Sequence, residues 1–260
     1  MRADVFLTEG AYIPSRQRAR ILIERGCVRI DGVTVTKPAQ NISDGPHTVT
    51  VEDDLPYVGR GGLKLAGALD AFGIDPAGRT ALDVGASTGG FTDCLLQRGA
   101  SRVVAVDSGV GQLAPKLLSD VRVISMEHTN ARDLTPAQIG GCVDLIVMDV
   151  SFISATYIIP QFPALLCEGG DAVVLIKPQF EVGRAMLGKG GIVKERRAHR
   201  YAVERVLQSA EAVGLTAVGL IASPIEGGDG NREFLIHLSN RRDEERRVMP
   251  ETVSRVTEKQ

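Results

Sequence analysis

The chain lacks the usual sequence marks of a secreted, membrane-spanning or metal-binding protein. Its four cysteines, Cys27, Cys94, Cys142 and Cys167, include no C-x-x-C pair. That spacing argues against disulfides and against zinc, so we expect four small, buried, reduced residues and no metal site. We also find no signal peptide and no apolar run long enough to cross a bilayer, which predicts a cytoplasmic protein without a membrane partner.

A strong net charge is missing too. The 260 residues carry 30 Lys and Arg against 32 Asp and Glu, a net charge of −2, so the whole molecule gives no indication of a polyanionic partner. Locally the balance differs, because six basic residues stand against two acidic ones between Ile13 and Gln40. Such a cluster suits phosphate contacts, although on charge alone a solvated helix face is the commoner explanation.

The first 55 residues predict a small α+β module. Ser15 can cap a helix that Gly26 ends, Asp31-Gly32 suits the type I′ turn of a hairpin, and a third strand is predicted at 48–51. This pattern resembles the S4-type RNA-binding domain, because it specifies the helix, its glycine stop and the hairpin turn together. The resemblance implies a set of basic RNA-binding residues: Arg16, Arg18, Arg20, Arg25 and Lys37.

A glycine-rich turn, Asp83-Val84-Gly85-Ala86-Ser87-Thr88-Gly89-Gly90-Phe91, follows a short apolar run and precedes a predicted helix. In doubly wound α/β proteins such a turn holds a nucleotide-like ligand. The turn lacks the second glycine of the dinucleotide fingerprint, and packing alone would not need an acid and three glycines. It fits the G-x-S-x-G nucleophile elbow of α/β hydrolases, and its Asp-x-Gly start resembles motif I of S-adenosylmethionine-dependent methyltransferases.

The residues that follow favour the methyltransferase interpretation. An elbow serine needs an acid and then a histidine in a strand-end loop, and neither His199 nor His237 lies in an obvious loop of that kind. Asp107 closes the next apolar run, at about the distance at which an acid binds the ribose hydroxyls of an adenosyl ligand. We therefore expect the turn and Asp107 to hold a cofactor together.

From residue 80 onward, predicted strands alternate with helices, which indicates a mostly parallel sheet covered on both faces. The strands are predicted at 80–84, 102–106, 121–125, 144–148, 172–176, 216–222 and 233–238. Asp149 and Lys177 directly follow two of these apolar runs. Residues just past the carboxyl ends of strands line the ligand crevice of an open α/β sheet, although a lysine there is more often a structural ion-pair partner.

Two further charged residues are candidates for the same site. Lys64 follows an Arg-Gly-Gly segment, and Glu233 follows a glycine-rich stretch. Lys, Asp, Lys and Glu in this order resemble the tetrad of FtsJ-like ribose 2′-O-methyltransferases. With the module in front, the whole chain resembles the TlyA family, which joins an S4-type domain to an FtsJ-like domain and 2′-O-methylates cytidine in ribosomal RNA. The matching segments are 60–65, 83–91, 129–132, 149–154, 177–183 and 230–234.

The resemblance implies an α/β fold with a Rossmann-like S-adenosylmethionine-dependent methyltransferase sheet at 60–240. An S4-type domain at 1–55, a linker at 56–59 and a charged C-terminal tail at 241–260 complete the chain. The implied catalytic set is Lys64, Asp149, Lys177 and Glu233. The implied cofactor is S-adenosyl-L-methionine, bound by Asp83, Gly85, Ala86, Ser87, Thr88, Gly89, Gly90, Phe91, Asp107 and Asn130. The implied partner is ribosomal RNA in ribosomal subunits, in 23S RNA and, as a further candidate, in 16S RNA.

The residue types suit this reaction. A 2′-hydroxyl is a poor nucleophile, so the protein must align it and remove one proton. We expect Lys177 to orient the hydroxyl and stabilise the alkoxide, accepting the proton if its pKa is low enough, while Asp149 sets the charge of Lys177. Lys64 and Glu233 would hold the ribose.

Other functions fit less well. Methylation of an exocyclic amine normally goes with an Asn/Asp-Pro-Pro-aromatic loop, whereas this chain has Asp149-Val150-Ser151-Phe152, and methylation of a pyrimidine carbon needs a cysteine in the crevice. A pore-forming haemolysin is an alternative, because TlyA-like proteins often carry that label, but it would need a membrane segment. A non-catalytic ribosome-binding protein is another alternative, and it would not need the four charged residues.

Overall fold

The computed structural model describes residues 1–24, 26–52, 56–227, 230–241 and 247–258. By contacts between Cα atoms, the chain divides into two compact units, Met1–Arg60 and Gly61–Gln260. Arg25, which the sequence predicts to bind RNA, lies outside the described residues.

The first unit combines helices with a small antiparallel sheet in the order β2-β1-β3. Its elements are α1 (Ala3–Glu9), α2 (Arg16–Glu24), β1 (Val28–Ile30), β2 (Val33–Thr34) and β3 (Val49–Val51). The hydroxyl of Ser15 accepts a hydrogen bond from the Arg18 amide at 3.2 Å, as expected of a residue that caps α2. Asp31 and Gly32 both take positive φ angles, 51° and 77°, which is the type I′ geometry predicted for the hairpin.

The second unit contains a seven-stranded sheet in the order β6-β5-β4-β7-β8-β10-β9. Its strands are β4 (Thr80–Val84), β5 (Arg102–Val106), β6 (Val123–Met126), β7 (Val143–Met148), β8 (Leu166–Ile176), β9 (Thr216–Ala222) and β10 (Phe234–Ser239). The strands from β4 to β8 pair in parallel, and β10 runs antiparallel to both of its neighbours. The predicted α/β class with a mostly parallel sheet is therefore confirmed.

Helices cover both faces of this sheet. They are α3 (Gly61–Phe72), α4 (Gly90–Gln97), α5 (Pro115–Leu118), α6 (Pro136–Ile139), α7 (Phe162–Leu165), α8 (Pro178–Glu181), α9 (Arg196–Ala212) and α10 (Pro250–Glu258). Consecutive residues of β4 from Ala81 to Val84 are all buried. Because successive side chains of a strand point to opposite faces, such a run requires a cover on each side.

The prediction of four reduced cysteines is wrong for Cys142 and Cys167, which form a disulfide with a Cα–Cα distance of 5.0 Å. Cys142 directly precedes β7 and Cys167 lies near the start of β8, and these strands are parallel neighbours with Val143 opposite Leu166. Strand pairing thus brings together two residues that are 25 positions apart in sequence, which spacing alone does not reveal. Cys27 and Cys94 are not part of a disulfide, and Cys94 is buried.

The end of the chain contains ordered structure where the sequence predicts a charged tail. Within residues 241–260, α10 is a helix that contacts α9 and β9. Val253 is buried on it, and Arg232 donates hydrogen bonds to the carbonyl oxygens of Val256 and Thr257 at 2.6 and 3.1 Å. This part of the segment therefore belongs to the packed body of the second unit.

Candidate active site

The glycine-rich turn links β4 to α4, where the sheet order reverses direction, since β5 lies on one side of β4 and β7 on the other. Gly85 has a φ of 84°, and a Cβ atom built on it would lie 2.5 Å from the carbonyl oxygen of Asp149. Gly89, at the start of α4, has a φ of 93°, and its Cβ would lie 2.1 Å from Leu117 Cδ1. Both positions require glycine. At Gly85 the reason is that the turn lies directly against the loop that follows β7.

Ser87 occupies the middle of the turn in the left-handed region, with a φ of 47°, a conformation that glycine adopts more easily. Its amide donates a hydrogen bond of 2.8 Å to Asp107 Oδ2, and the Gly109 amide donates one of 2.7 Å to Asp107 Oδ1. The Ser87 hydroxyl donates to Gln112 Oε1 at 3.1 Å. The partner of the Ser87 hydroxyl is therefore the side-chain amide of Gln112, whereas a hydrolase would have a histidine base in this place. The nucleophile-elbow interpretation is wrong.

A cleft of about 720 Å³ opens beside this turn at the carboxyl ends of β4, β5 and β7. Of the residues predicted to bind the cofactor, Gly85, Ser87, Asp107 and Asn130 line it. Five other members of the set do not line the cleft but form the turn and the start of α4: Ala86, Thr88, Gly89, Gly90 and Phe91.

Asp83 lies beneath the turn and does not line the cleft. It is fully buried, and its Oδ2 accepts a hydrogen bond of 2.7 Å from the hydroxyl of Thr92 in the first turn of α4. Burial raises the pKa of Asp83 to about 7, while the bond from Thr92 opposes the increase. The structure therefore gives Asp83 the position of an anchor that ties β4 to α4.

Sequence reasoning missed several cleft residues. They come from the loop after β5, from the loop after β6 and from the segment after β7: Ser108, Gly109, Gln112, Thr129, Ala131, Arg132, Val150, Ser151, Phe152, Ile153 and Ile158. The strand-end rule that identified Asp107 and Asp149 could have found most of them, because it applies to the whole loop after each strand.

The ion pair of Asp149 and Lys177 lies where β7 and β8 end. Lys177 Nζ is 2.6 Å from Asp149 Oδ1, although this contact lacks the alignment of a hydrogen bond. The ammonium donates a hydrogen bond of 2.7 Å to the hydroxyl of Ser151. The two strands are parallel neighbours, so their carboxyl ends bring the acid and the base together as the sequence predicts.

A second ion pair joins Lys64 on α3 to Glu233, which directly precedes β10. Lys64 Nζ donates to Glu233 Oε2 at 2.5 Å, and the two residues are only 7% and 2% exposed. Burial raises the pKa of Glu233, and the positive charge of Lys64 opposes this increase. The pair spans 169 positions of sequence and is held out of water.

Three of the four charged residues line a pocket of about 300 Å³ next to the cleft. Lys64, Lys177 and Glu233 line the pocket, Asp149 lines the cleft, and Ser151 and Phe152 line both. The two cavities therefore meet at the loop after β7.

Aromatic rings stand at this junction. Phe152 is 92% exposed and takes a φ of 66°, an unusual conformation for a large side chain. Its ring centroid is 5.4 Å from that of Phe180, which also lines the pocket. An exposed phenylalanine on strained backbone beside a charged pocket is suited to contact a flat apolar ligand.

The basic residues of the first unit differ in their accessibility. The carboxylate of Asp4 is buried, and guanidinium groups of Arg2, Arg16 and Arg20 approach it to 2.9, 3.3 and 3.4 Å. Hydrogen bonds from Arg2 lead the contacts that hold the pKa of Asp4 well below its usual range. The side chains of Arg16 and Arg20 remain 57% and 56% exposed, so this cluster presents positive charge to solvent.

Lys37 and Arg18 contrast with each other in the same unit. Lys37 is exposed, as expected of a residue that binds RNA. Arg18 is buried and donates a hydrogen bond to the carbonyl oxygen of Tyr57. The structure therefore gives Arg18 a position inside the fold, which does not suit the predicted contact with RNA.

The described residues contain neither a helix suited to cross a membrane nor a cluster of potential metal ligands. Across those ranges no helix is long and apolar enough to span a membrane. The same residues contain no group of three or more His, Cys, Asp or Glu side chains that could hold a metal ion.

Comparison with known families gives two matches along the chain. The FtsJ-like methyltransferase family matches residues 57–240. The S4 domain family matches residues 1–45.

Individual proteins resemble the chain over nearly its full length. The Mycobacterium tuberculosis protein named 16S/23S rRNA (cytidine-2′-O)-methyltransferase TlyA is 47% identical over 243 residues, which cover 93% of this chain and 91% of that protein. Hemolysin A of Brachyspira hyodysenteriae is 41% identical over 91% of this chain and 99% of its own length. A solved structure of a hemolysin-named protein from Streptococcus thermophilus superimposes with a TM-score of 0.80 at 40% identity, covering 99% of this chain and 94% of that one.

Proposed function

The chain belongs to the FtsJ-like methyltransferase family and also carries an S4 domain, and from this we propose that it is an S-adenosylmethionine-dependent ribose 2′-O-methyltransferase acting on cytidine in ribosomal RNA. One observation carries the proposal. The Lys64–Glu233 ion pair and Lys177 line a pocket, and Asp149, the partner of Lys177, lines the adjoining cleft beside the glycine-rich turn. The named activity of the M. tuberculosis relative supports cytidine and ribosomal RNA as the substrate.

The cleft fits an adenosyl ligand. Gly85, which has no side chain, lines the cleft, so a ligand can approach the backbone of the turn closely. Asp107 lines the cleft with a carboxylate that can accept hydrogen bonds from ribose hydroxyls. When bound, S-adenosylmethionine supplies a methyl group already activated by its sulfonium. We assign Gly85, Ser87, Asp107 and Asn130 to its direct contacts, and the rest of the turn to holding these in place.

The two ion pairs have different roles toward the ribose that accepts the methyl group. Lys177 orients the 2′-hydroxyl and stabilises the negative charge that develops on its oxygen. Asp149 keeps Lys177 in position at 2.6 Å, and the pair takes over the hydroxyl proton. Lys64 and Glu233, which are almost wholly buried, provide a fixed donor and acceptor for the remaining ribose oxygens.

The shape of the pocket favours a nucleotide taken out of a helix. Phe152 and Phe180 offer ring faces to a base, and stacking on aromatic side chains is the usual way in which proteins hold unpaired RNA bases. A ribose 2′-hydroxyl as acceptor also explains why RNA is the substrate, since DNA lacks this group.

The proposal can be tested with purified protein, labelled S-adenosylmethionine and separate unmodified 30S and 50S subunits. After methyl transfer, the RNA is digested to nucleosides, and we expect the label in 2′-O-methylcytidine. Label in a base-methylated nucleoside, or no label in either subunit, would contradict the proposal. Comparison of the two subunits also decides whether 16S RNA, 23S RNA or both are substrates.

Relatives named hemolysins make pore formation the second candidate. A liposome-leakage assay on the pure protein separates the two functions. Leakage that does not depend on S-adenosylmethionine would favour a pore, whereas intact liposomes together with labelled RNA would favour the methyltransferase.

A further inference from the structure

The segment from residue 183 to residue 194 forms one wall of the acceptor pocket, and we call it the 183–194 wall. Leu187, Gly190 and Gly191 line the pocket together with Lys64, Lys177 and Glu233. Any RNA strand that delivers a ribose to Lys177 must therefore pass beside this wall.

The wall is held in place by buried polar groups. Asn231 is only 1% exposed, its Oδ1 accepts from the Val193 amide at 2.9 Å, and its Nδ2 donates to the Gly191 carbonyl at 3.2 Å. The carbonyl oxygen of Val193 is also 3.0 Å from Nε2 of the buried His199. Within the wall, the Gly188 amide donates to the Ile192 carbonyl at 3.0 Å. These bonds give the segment a fixed course next to Glu233, so it can position a ligand.

The outer surface of the wall is strongly basic. Residues 183–194 include three Lys and Arg and no acid, in a chain whose net charge is −2. Arg197 pairs with Glu195, and Arg200 pairs with Glu204. Arg184, Lys189 and Lys194 are exposed and form no ion pair with any residue in the described ranges. Three unpaired cations on one short segment have no evident role in folding.

We propose that the 183–194 wall is an RNA-binding surface, on which Arg184, Lys189 and Lys194 bind the phosphates of the unpaired strand on either side of the target nucleotide. The proposal rests on the proposed function, because it takes the pocket to be the site of methyl transfer. A chain without a positive net charge has to bind RNA through local clusters of basic residues. Cations beside the pocket would hold the phosphates next to the target nucleotide and so align its ribose with Lys177. Single-stranded RNA is the partner that the pocket favours, since a base inside a duplex cannot reach the ring faces of Phe152 and Phe180.

The test uses the full-length protein and a variant with Arg184→Ala, Lys189→Ala and Lys194→Ala. The affinity for an unpaired RNA oligonucleotide is measured at several salt concentrations in the presence of S-adenosylhomocysteine. Each phosphate contact in single-stranded RNA contributes about 0.7 to the slope of log affinity against log salt, so we expect the slope of the variant to be shallower by about 2. We also expect the affinity at physiological salt to fall by about tenfold or more, with unchanged thermal stability and unchanged binding of S-adenosylhomocysteine.

Arg241→Ala is the matched control. Arg241 is exposed and follows β10, whose Ser239 lies opposite Asp171 at the middle of β8, five residues before the carboxyl end that carries the pocket. We expect this variant to keep the slope of the unsubstituted protein. An unchanged slope in the triple variant, or an equal loss in Arg241→Ala, would overturn the proposal. If the unsubstituted protein transfers no methyl group, the proposed function fails, while the salt slope still reports on the wall.

Discussion

Buried carboxylates at the site have different partners and therefore different roles. Glu233 faces the ammonium of Lys64 at 2.5 Å. Asp83 instead has a hydroxyl partner at Oδ2, and its Oδ1 has no hydrogen-bond partner among the described residues. A carboxyl buried without a cation is stable mainly in its neutral form. Asp83 is thus a group whose ionisation acts against folding, and Glu233 is one whose charge is balanced by a base.

The effect of Asp83 on stability depends on pH. Its pKa is raised to about 7 in the folded protein and is about 4 in an unfolded chain. Between these values the folded state keeps a proton that the unfolded state has released, so the Asp83 contribution to the free energy of unfolding falls as pH rises. Asp83→Asn removes this dependence while the amide oxygen still accepts from Thr92. We expect the melting temperature of the variant to increase relative to that of the unsubstituted protein as the pH rises from about 4 to about 7. Parallel pH curves for the two proteins would show that Asp83 does not titrate in this window.

Lys177 is the residue whose loss should stop the reaction. Lys177→Ala removes the cation that orients the hydroxyl and stabilises its developing charge, and we expect the rate of methyl transfer to fall by about 100-fold or more. Binding of S-adenosylmethionine, measured by calorimetry, should remain nearly unchanged. Ser151→Ala, which removes only one hydrogen bond to Lys177, should have a smaller effect. Substantial turnover in Lys177→Ala would rule out the assigned role.

Among the secondary-structure elements, the loops after β7 and β8 are tied together by one side chain. Glu181, at the end of α8, is 2% exposed. Its Oε2 accepts from the Ser154 hydroxyl at 2.5 Å, and its Oε1 accepts from the Ala155 amide at 2.8 Å. Burial raises the pKa of Glu181, and both hydrogen bonds oppose the increase. The tie joins the segment that carries Asp149 to the segment that carries Lys177.

Removing this tie should loosen the catalytic pair. Glu181→Ala leaves a buried hydroxyl and a buried amide without their acceptor, at a cost of about 2–4 kcal/mol in the free energy of unfolding. We expect a lower melting temperature and a lower rate of methyl transfer. Glu181→Gln should retain most of both, because its amide can accept from Ala155 and donate to Ser154. Equal behaviour of the two variants in denaturation and activity assays would contradict this role.

Local sequence patterns predict some of the secondary-structure elements accurately and miss others. Predicted strands at 80–84, 102–106 and 216–222 coincide with β4, β5 and β9. The prediction for β8 began at 172, whereas the strand begins at Leu166, because Glu168-Gly169-Gly170-Asp171 interrupts the apolar run on which the prediction depended. Helix α1 was not predicted, although its Leu7 is completely buried. Short elements with mixed composition depend on their neighbours for burial, so local periodicity does not reveal them.

At the scale of the whole molecule, a negative net charge does not favour binding of RNA, which is a polyanion, but the charge is unevenly distributed along the chain. The total is −2, yet the first unit presents Arg16, Arg20 and Lys37 to solvent. Affinity for RNA then depends on local fields, which salt screens over about 10 Å at moderate ionic strength. The four residues proposed to be catalytic are all in the second unit.

This separation predicts a kinetic difference. Lys37→Glu replaces an exposed cation that forms no ion pair with the described part of the chain, so the fold should be unaffected. We expect KM for ribosomal subunits to rise by about tenfold, with an effect that shrinks at higher salt, while kcat and the affinity for S-adenosylmethionine stay the same. A change in kcat with unchanged KM would place Lys37 outside the RNA-binding surface.

The sequence by itself determined the features that depend on local chemistry. Glycine positions in the turn, the Asp31-Gly32 hairpin and the charged residues at strand ends follow from backbone conformation and from residue order. Only the tertiary structure decided which distant groups meet. It paired Lys64 with Glu233 across 169 positions, joined Cys142 to Cys167, buried Arg18 and left Phe152 exposed. These outcomes depend on strand order and packing between elements, which no local pattern encodes.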